Sequence, residues 1–361
     1  MHSLFFELIR VALNYTFSLS TVPSSEEWQK LFSMAKKQAL LGVCFYGLKQ
    51  LPKEQTANLP MPLKMRWLGI AVSIQSRNEM MNKRCLDLQN RLLALGFESC
   101  ILKGQGIADI YNDDLSLLRQ SGDIDVWVKG GLDSIKVLSG KLKQKMRVTE
   151  QHTDFTFFDD ADVEVHFIPS MLRNPLTNEH LQKWFKRMAD KQFANRTDNG
   201  LCVPTLEFNL VYLIIHTYRH VFGEGVGLRQ VMDYYMLLFS KPINKELKHK
   251  TKETLQSLKI YEFAAGLMWV MHEVFSLSED KMLFEPNKKH GEFLLNEIML
   301  AGNMGMYDER LISIRQLSKL KRFIMMNAHT FRLLKYSPQE TLFAPFVRMY
   351  VWMWRKRNGW L

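Results

Sequence analysis

Ser121-Gly122-Asp123-Ile124-Asp125-Val126-Trp127-Val128 sets two carboxylates at i and i+2 in a run that otherwise reads as a buried strand. Alternate residues of a strand share a face, so Asp123 and Asp125 are expected to project together. Like charges side by side on a half-buried strand repel and are costly to desolvate. A divalent cation is the usual offset; the plainer reading is a strand end with two solvated aspartates. A third carboxylate lies in Asp162-Val163-Glu164-Val165-His166-Phe167, an alternating strand able to pair beside the first. Glu164 sits inside the apolar run, where a charge needs a reason, and Asp162 and His166 share its face. Asp162 is the rival third ligand, although a solvated strand entry explains it.

Upstream, Ser99-Cys100-Ile101-Leu102 reads as a short strand leading into Lys103-Gly104-Gln105-Gly106 and a helix through Tyr111. A strand–Gly–helix corner presents free backbone N–H groups to an anion, and Gly104 permits close approach. Lys103 reads either as a phosphate partner or as a surface lysine. Arg119 reads as a triphosphate clamp, as a group orienting Asp125, or as half of a structural ion pair with a nearby Asp. Downstream, Gly130-Gly131 precedes a helix carrying Leu132, Ile135, Val137, Leu138 and Leu142. The alternation from Val148 to Phe158 predicts a strand that turns at Asp159-Asp160, and Pro169 ends the strand after it.

The flanks read as helices. Ser24 and Glu27 have capping-box spacing. Met81, Cys85, Leu88, Leu92 and Leu95 step 4-3-4-3 along an amphipathic helix, and Gly96 stands where a left-handed C-terminal residue belongs. The strongest later helical segment, Thr205 to Phe239, carries His216, Arg219, His220, Arg229 and Asp233. His216 and His220 share a face but lack the adjacent Glu of a zinc-protease motif, so core or interface histidines are the plainer reading. Arg229 and Asp233, also i and i+4, read as a helix salt bridge.

The chain is 47% hydrophobic and 24% charged, with 48 Lys/Arg against 37 Asp/Glu for a net charge of +11. That balance suits an anionic partner such as a nucleotide, RNA or a phosphorylated substrate. Its densest basic sets are Leu317 to Arg322 and Trp354-Arg355-Lys356-Arg357. The aromatic, basic run from Met349 to Arg357 has the composition of a membrane-interface segment, though a buried helix with a solvated end explains it equally. No apolar run reaches the roughly 18 residues of a transmembrane helix. The opening residues lack the basic start of a secretory signal, and the four scattered cysteines read as reduced thiols, so a cytoplasmic location is expected.

Leu-Lys-Gly, then Arg-x-x-Gly-Asp-Ile-Asp-Val, then Val-Glu-Val-His resembles the DNA polymerase β-like nucleotidyltransferase superfamily. Within it the chain is most similar to a poorly characterised bacterial family with an added helical region bearing His…Gly-Leu-Arg…Asp, here His216, His220, Gly227-Leu228-Arg229 and Asp233. The aminoglycoside nucleotidyltransferases are more distant. The resemblance implies transfer of a nucleotidyl group from a nucleoside triphosphate, expected to be ATP, to an acceptor hydroxyl with release of pyrophosphate. The acceptor is a small molecule, a sugar, a protein or an RNA end, and the cofactor Mg²⁺ or Mn²⁺. It makes Asp123 and Asp125 the paired metal ligands, Glu164 the third acid, all three catalytic, and Gly104 the phosphate-corner glycine; Lys103, Gln105, Arg119, His220 and Arg229 are the further candidates for contact with the nucleotide. The corner departs from the usual Gly-Gly or Gly-Ser, and Gly104 stands further from Asp123 than is common. A catalytically inactive nucleotide-binding module is therefore the alternative. The fold expected is α+β, with a small mixed β-sheet nucleotidyltransferase core over 96–172, an N-terminal helical region over 1–95 and a C-terminal helical domain over 173–361.

Overall fold

The computed structural model describes residues 2–360, apart from the side chains at 113 and 315. It opens with helices α1 (His2–Ala12), α2 (Ser25–Lys37), α3 (Leu41–Gln50) and α4 (Met61–Ala94). The capping box at α2 forms as read: Glu27 N–H donates to Ser24 Oγ at 3.3 Å and Ser24 N–H to Glu27 Oε2 at 2.8 Å. Helix α4 begins well before Met81, with Pro62 in its first turn, where a missing N–H costs nothing. Its 34 residues span about 50 Å. One stripe of α4 is buried from Leu63 through Trp67, Ile74 and Met81 to Leu92. The first half of that stripe packs into a large helical core and the second half into a smaller core beneath the sheet. Gly96 ends it with φ +87°.

Among the described residues one sheet has four strands: β1 (Ser99–Ile101), β2 (Ile124–Val128), β3 (His152–Asp154) and β4 (Val163–His166), ordered β1-β2-β4-β3. β2 runs antiparallel to β1 and parallel to β4, and β3 runs antiparallel to β4. Strand alternation divides the residues. Val126, Val128, Val163 and Val165 fill the smaller core with Met81, Leu88, Ile135 and Leu138. Trp127 turns to the other side, 4.7 Å from the Phe193 ring, and Asp125 shares its face.

Two local readings are corrected. The run from Val148 to Phe158 is not one strand, because the Thr149 hydroxyl accepts from the Gln151 and His152 N–H groups and closes a turn. Val148 then bridges to Thr153, leaving three residues for β3. The element after Lys103 is a 3₁₀ helix over Gly104–Ile110. Gly104 takes φ +62°, and a Cβ on Gly106 would lie 2.2 Å from the Ile101 carbonyl oxygen. Both glycines are thus fixed by backbone geometry.

The remaining helices are α5 (Asp113–Ser116), α6 (Gly131–Leu142), α7 (Pro175–Ala194), α8 (Leu206–Val221), α9 (Leu228–Ser240), α10 (Lys245–Ser257), α11 (Tyr261–Phe275), α12 (Lys288–Ala301), α13 (Glu309–Arg315), α14 (Lys319–Phe331) and α15 (Pro338–Arg357). None of the described helices is long and apolar enough to cross a membrane. The sheet region is fastened to α9 by a buried ion pair. Arg119 donates to both oxygens of Asp233 at 2.6 and 2.7 Å, and the Tyr111 hydroxyl donates to the same carboxylate at 2.6 Å. The helix salt bridge read between Arg229 and Asp233 therefore does not form: a bidentate guanidinium from another element captures the carboxylate, which is the stronger geometry.

Removing one partner of a buried pair strands the other charge and costs about 3–5 kcal/mol. Asp233→Asn is expected to lose that much unfolding free energy in urea titration. Arg119→Met combined with Asp233→Leu is expected to recover most of it, because the apolar replacement leaves no charge buried.

Candidate active site

The parallel pairing of β2 with β4 sets Asp125 opposite Glu164 and Trp127 opposite His166. Asp123 stands just before β2. One oxygen from each of Asp123, Asp125 and Glu164 lies within 4.8 Å of the others. The Asp125 side chain is 2% exposed, and its Oδ1 receives Lys103 Nζ at 2.9 Å and His166 Nε2 at 2.9 Å. Burial alone would raise the Asp125 pKa; Lys103 and His166 outweigh it and hold the carboxylate well below its usual range. Lys103 is held in turn above its ordinary value, because the charges of Asp125, Asp123 and Glu164 exceed the penalty of its burial. It is a half-buried counter-ion, not the surface lysine of the plainer reading.

Glu164 lacks such relief. Burial, with the charges of Asp125 and Asp123, pushes its carboxyl up to about 7 despite the hydrogen bond from His166. His152, reaching over from β3, places Nδ1 3.3 Å from Glu164 Oε2. Burial and the neighbouring His166 hold its pKa down to about 3, so it brings no charge to offset the acids. Three converging carboxylates share one lysine and one histidine, and the last of them ionises reluctantly. Such an all-oxygen donor set fits a hard divalent cation.

These groups floor a cleft of about 770 Å³. The loop Gln120–Gly122 forms one side. Helix α8 contributes His216, Arg219 and His220, α9 contributes Arg229, and α15 contributes Arg348 and Arg355. Arg119 lines the cleft but its guanidinium is committed to Asp233, so the structural pairing is the reading observed. Arg229 is left with a single hydrogen bond, from Nη1 to the Gln120 carbonyl at 2.7 Å, and its buried Nε has no partner among the described residues. Burial and the adjacent Arg119 lower its pKa.

Of the residues read from the sequence, Lys103, Gly104, Arg119, Asp123, Asp125, Glu164, His220 and Arg229 meet at this cleft. Gln105 does not line it; its amide donates to Asn78 at 3.0 Å and Asn82 at 3.1 Å, anchoring the corner to α4. The cleft also gathers Arg77, Arg173, Arg219, Arg348 and Arg355. Arg219 is among the residues read on the Thr205–Phe239 segment and Arg355 belongs to the basic set at 354–357, whereas Arg77, Arg173 and Arg348 stand in stretches where no local pattern announced them. His152 and His166 were visible only as members of alternating strands.

His216 and His220 stack edge to face, with centroids 4.4 Å apart. Burial and then the charge of Lys103 drive His216 far below its ordinary value and His220 down to about 3. The unfolded chain protonates these rings near 6.5 while the folded chain keeps them neutral. Their contribution to stability is therefore complete above about 6.5 and is lost as pH falls towards 3. For each such ring the expected slope approaches roughly 1.4 kcal/mol per pH unit. His220→Gln is expected to flatten the fall in unfolding free energy between about pH 6.5 and pH 4, measured by urea titration at each pH.

Comparison with curated proteins and with solved structures finds no match to either. A family model described as uncharacterised nucleotidyltransferase matches residues 24–276, a stretch that contains the whole sheet, the acidic cluster and helices α8 and α9. The chain belongs to this nucleotidyltransferase family, and it is an enzyme that transfers nucleotidyl groups.

Proposed function

We propose that the cleft binds a nucleoside triphosphate, ATP in the first instance, together with Mg²⁺ or Mn²⁺, and moves the NMP group to a hydroxyl of an acceptor. The observation that carries this reading is the register of Asp125 against Glu164, which with Asp123 aims three carboxylates into a cleft walled by arginines. Asp123, Asp125 and Glu164 would hold the cation. Bound there, a divalent cation lowers the pKa of an attacking hydroxyl and offsets charge on the departing pyrophosphate.

The chain's own groups supply the rest. The acceptor oxygen forms a bond to the α-phosphorus as the bond from that phosphorus to the bridging oxygen of pyrophosphate breaks. Arg229, with an unsatisfied buried Nε beside the Asp123 loop, is a guanidinium able to take a phosphate oxygen, as is Arg355, whose buried Nε is likewise unpartnered among the described residues. Lys103 and His166 fix Asp125 in one orientation from two sides. Serving as general base for the hydroxyl proton is the role Glu164 would take instead of ligating the cation. His220 lies on the wall facing these groups.

Two outcomes test the assignment. Thermal unfolding of the wild type is expected to shift upward only when ATP and Mg²⁺ are both present, by roughly 2.7 kcal/mol at a hundredfold excess over Kd. Asp123→Asn is expected to abolish that shift and to slow nucleotidyl transfer by at least about a hundredfold, with unchanged stability in the absence of ligand. Arg229→Gln is expected to weaken nucleotide binding by roughly tenfold or more, since a hydrogen bond to a charged group is worth about 1.5–3 kcal/mol. Unchanged affinity in titration calorimetry would return Arg229 to a structural role.

A further inference from the structure

Helices α14 and α15 are built inside out. On α14 the buried residues are Asn327 and Thr330, while Leu320, Phe323 and Ile324 are exposed. On α15 Glu340, Thr341, Ala344 and Val351 are buried, while Leu342, Phe346, Met349, Tyr350 and Met353 are between 48% and 64% exposed. That spacing of i, i+4, i+7, i+8 and i+11 is one continuous helical face. Between the two helices the contacts are polar: Arg348 donates to Asn327 Oδ1 and, at 2.9 Å, to Thr330 Oγ1. Ordinary surface helices put the apolar stripe inward and the polar face outward.

The charge around this apolar face has one sign. Residues 317–361 hold nine Lys/Arg and a single acidic residue, Glu340; Arg348 and Arg355 line the cleft and Arg332 is paired with Glu297, so the charge of the face rests on the others. Glu340 is buried and paired with Arg173. Lys319, Lys321, Lys335, Lys356 and Arg357 are exposed. Trp352, 53% exposed, carries Lys356 over its ring at 5.4 Å.

We infer that the outer face of the α14–α15 pair docks the protein on an anionic lipid bilayer. Aromatic and aliphatic side chains on one helical face enter the boundary between headgroups and acyl chains, and flanking lysines meet anionic headgroups. The charge complementarity selects this occupant over a second copy of the chain, since two faces of the same strong positive charge repel. Met326 and Arg348 of the same helices line the nucleotidyltransferase cleft, so docking would hold the cleft beside the membrane surface.

The test is flotation of the full chain with vesicles of phosphatidylcholine alone and of phosphatidylcholine mixed with phosphatidylglycerol. Recovery with the anionic vesicles alone is expected. Phe346→Glu combined with Met353→Glu is expected to reduce it to background while leaving the thermal unfolding midpoint unchanged, because both side chains are exposed. Lys321→Ala is expected to weaken partitioning roughly fivefold. Absence of recovery with the anionic vesicles overturns the inference, as does recovery that the Phe346→Glu, Met353→Glu variant retains. Light scattering that shows self-association abolished by that variant, without vesicle binding, assigns the face to a second copy instead.

Discussion

The in-register parallel pairing of β2 with β4 is the constraint on which the rest of the structure depends. It sets Asp125 against Glu164, and a slip of β4 by one residue would send Glu164 into the apolar core and bring Val163 or Val165 to the cleft. The compensation is built into the same sheet. Leu102 N–H donates to the Asp125 carbonyl at 2.9 Å, which brings the next residue, Lys103, alongside the Asp125 carboxylate. His166 follows Glu164 by two residues and so shares its face. Two neighbours of the acids in strand geometry thus become their counter-ions, and the sheet tolerates a carboxylate that is 2% exposed.

Partner choice in the helices then decides which cations are free. If Asp233 paired within its own helix, Arg229 would be neutralised and Arg119 would stand alone in the interior. The observed arrangement gives Asp233 to Arg119 and Tyr111, which satisfies the deeper guanidinium in bidentate geometry. Arg229 is left beside the Asp123 loop with its Nε unpartnered. One ion pair therefore fastens the sheet region to α9 and leaves an anion-seeking group at the cleft.

What the sequence made legible follows from the range of each interaction. Strand alternation is local, so the projection of Asp123, Asp125 and Glu164 into one place was readable, as were the Ser24–Glu27 box and the left-handed Gly96. The reading of Val148 to Phe158 as one strand failed because a hydroxyl at Thr149 closes a turn that alternation does not register. The Arg229–Asp233 reading failed because i, i+4 proximity says nothing of a stronger partner 114 positions away. Gln105 looked available to a phosphate because Asn78 and Asn82 lie on a helix that no local pattern connects to the corner. Arg77, Arg173 and Arg348 share that obscurity, since they reach the cleft from segments far apart in the chain.

The inverted helices at the end of the chain trace back to the cleft itself. Arg348 is largely withdrawn from water, and burial together with Arg173 lowers its pKa to about 10. A guanidinium so placed needs hydrogen-bond acceptors nearby, and Asn327 and Thr330 supply them from α14. The inner face of α14 is then taken up by Asn327 and Thr330, and that of α15 by Glu340 and Thr341 together with the small or aliphatic Ala344 and Val351. Leu342, Phe346, Met349, Tyr350 and Met353 fall on the opposite side of α15 as a matter of helical geometry. The preceding 316 residues carry a net charge of only +3, so most of the basic balance lies in the last helices, part of it towards the cleft and part, through Lys319, Lys321, Lys335, Lys356 and Arg357, on exposed positions. A wall that is polar towards the cleft and apolar towards the outside is stable where the outside is itself partly apolar, and an anionic membrane interface meets both the charge and the hydrophobicity of this face.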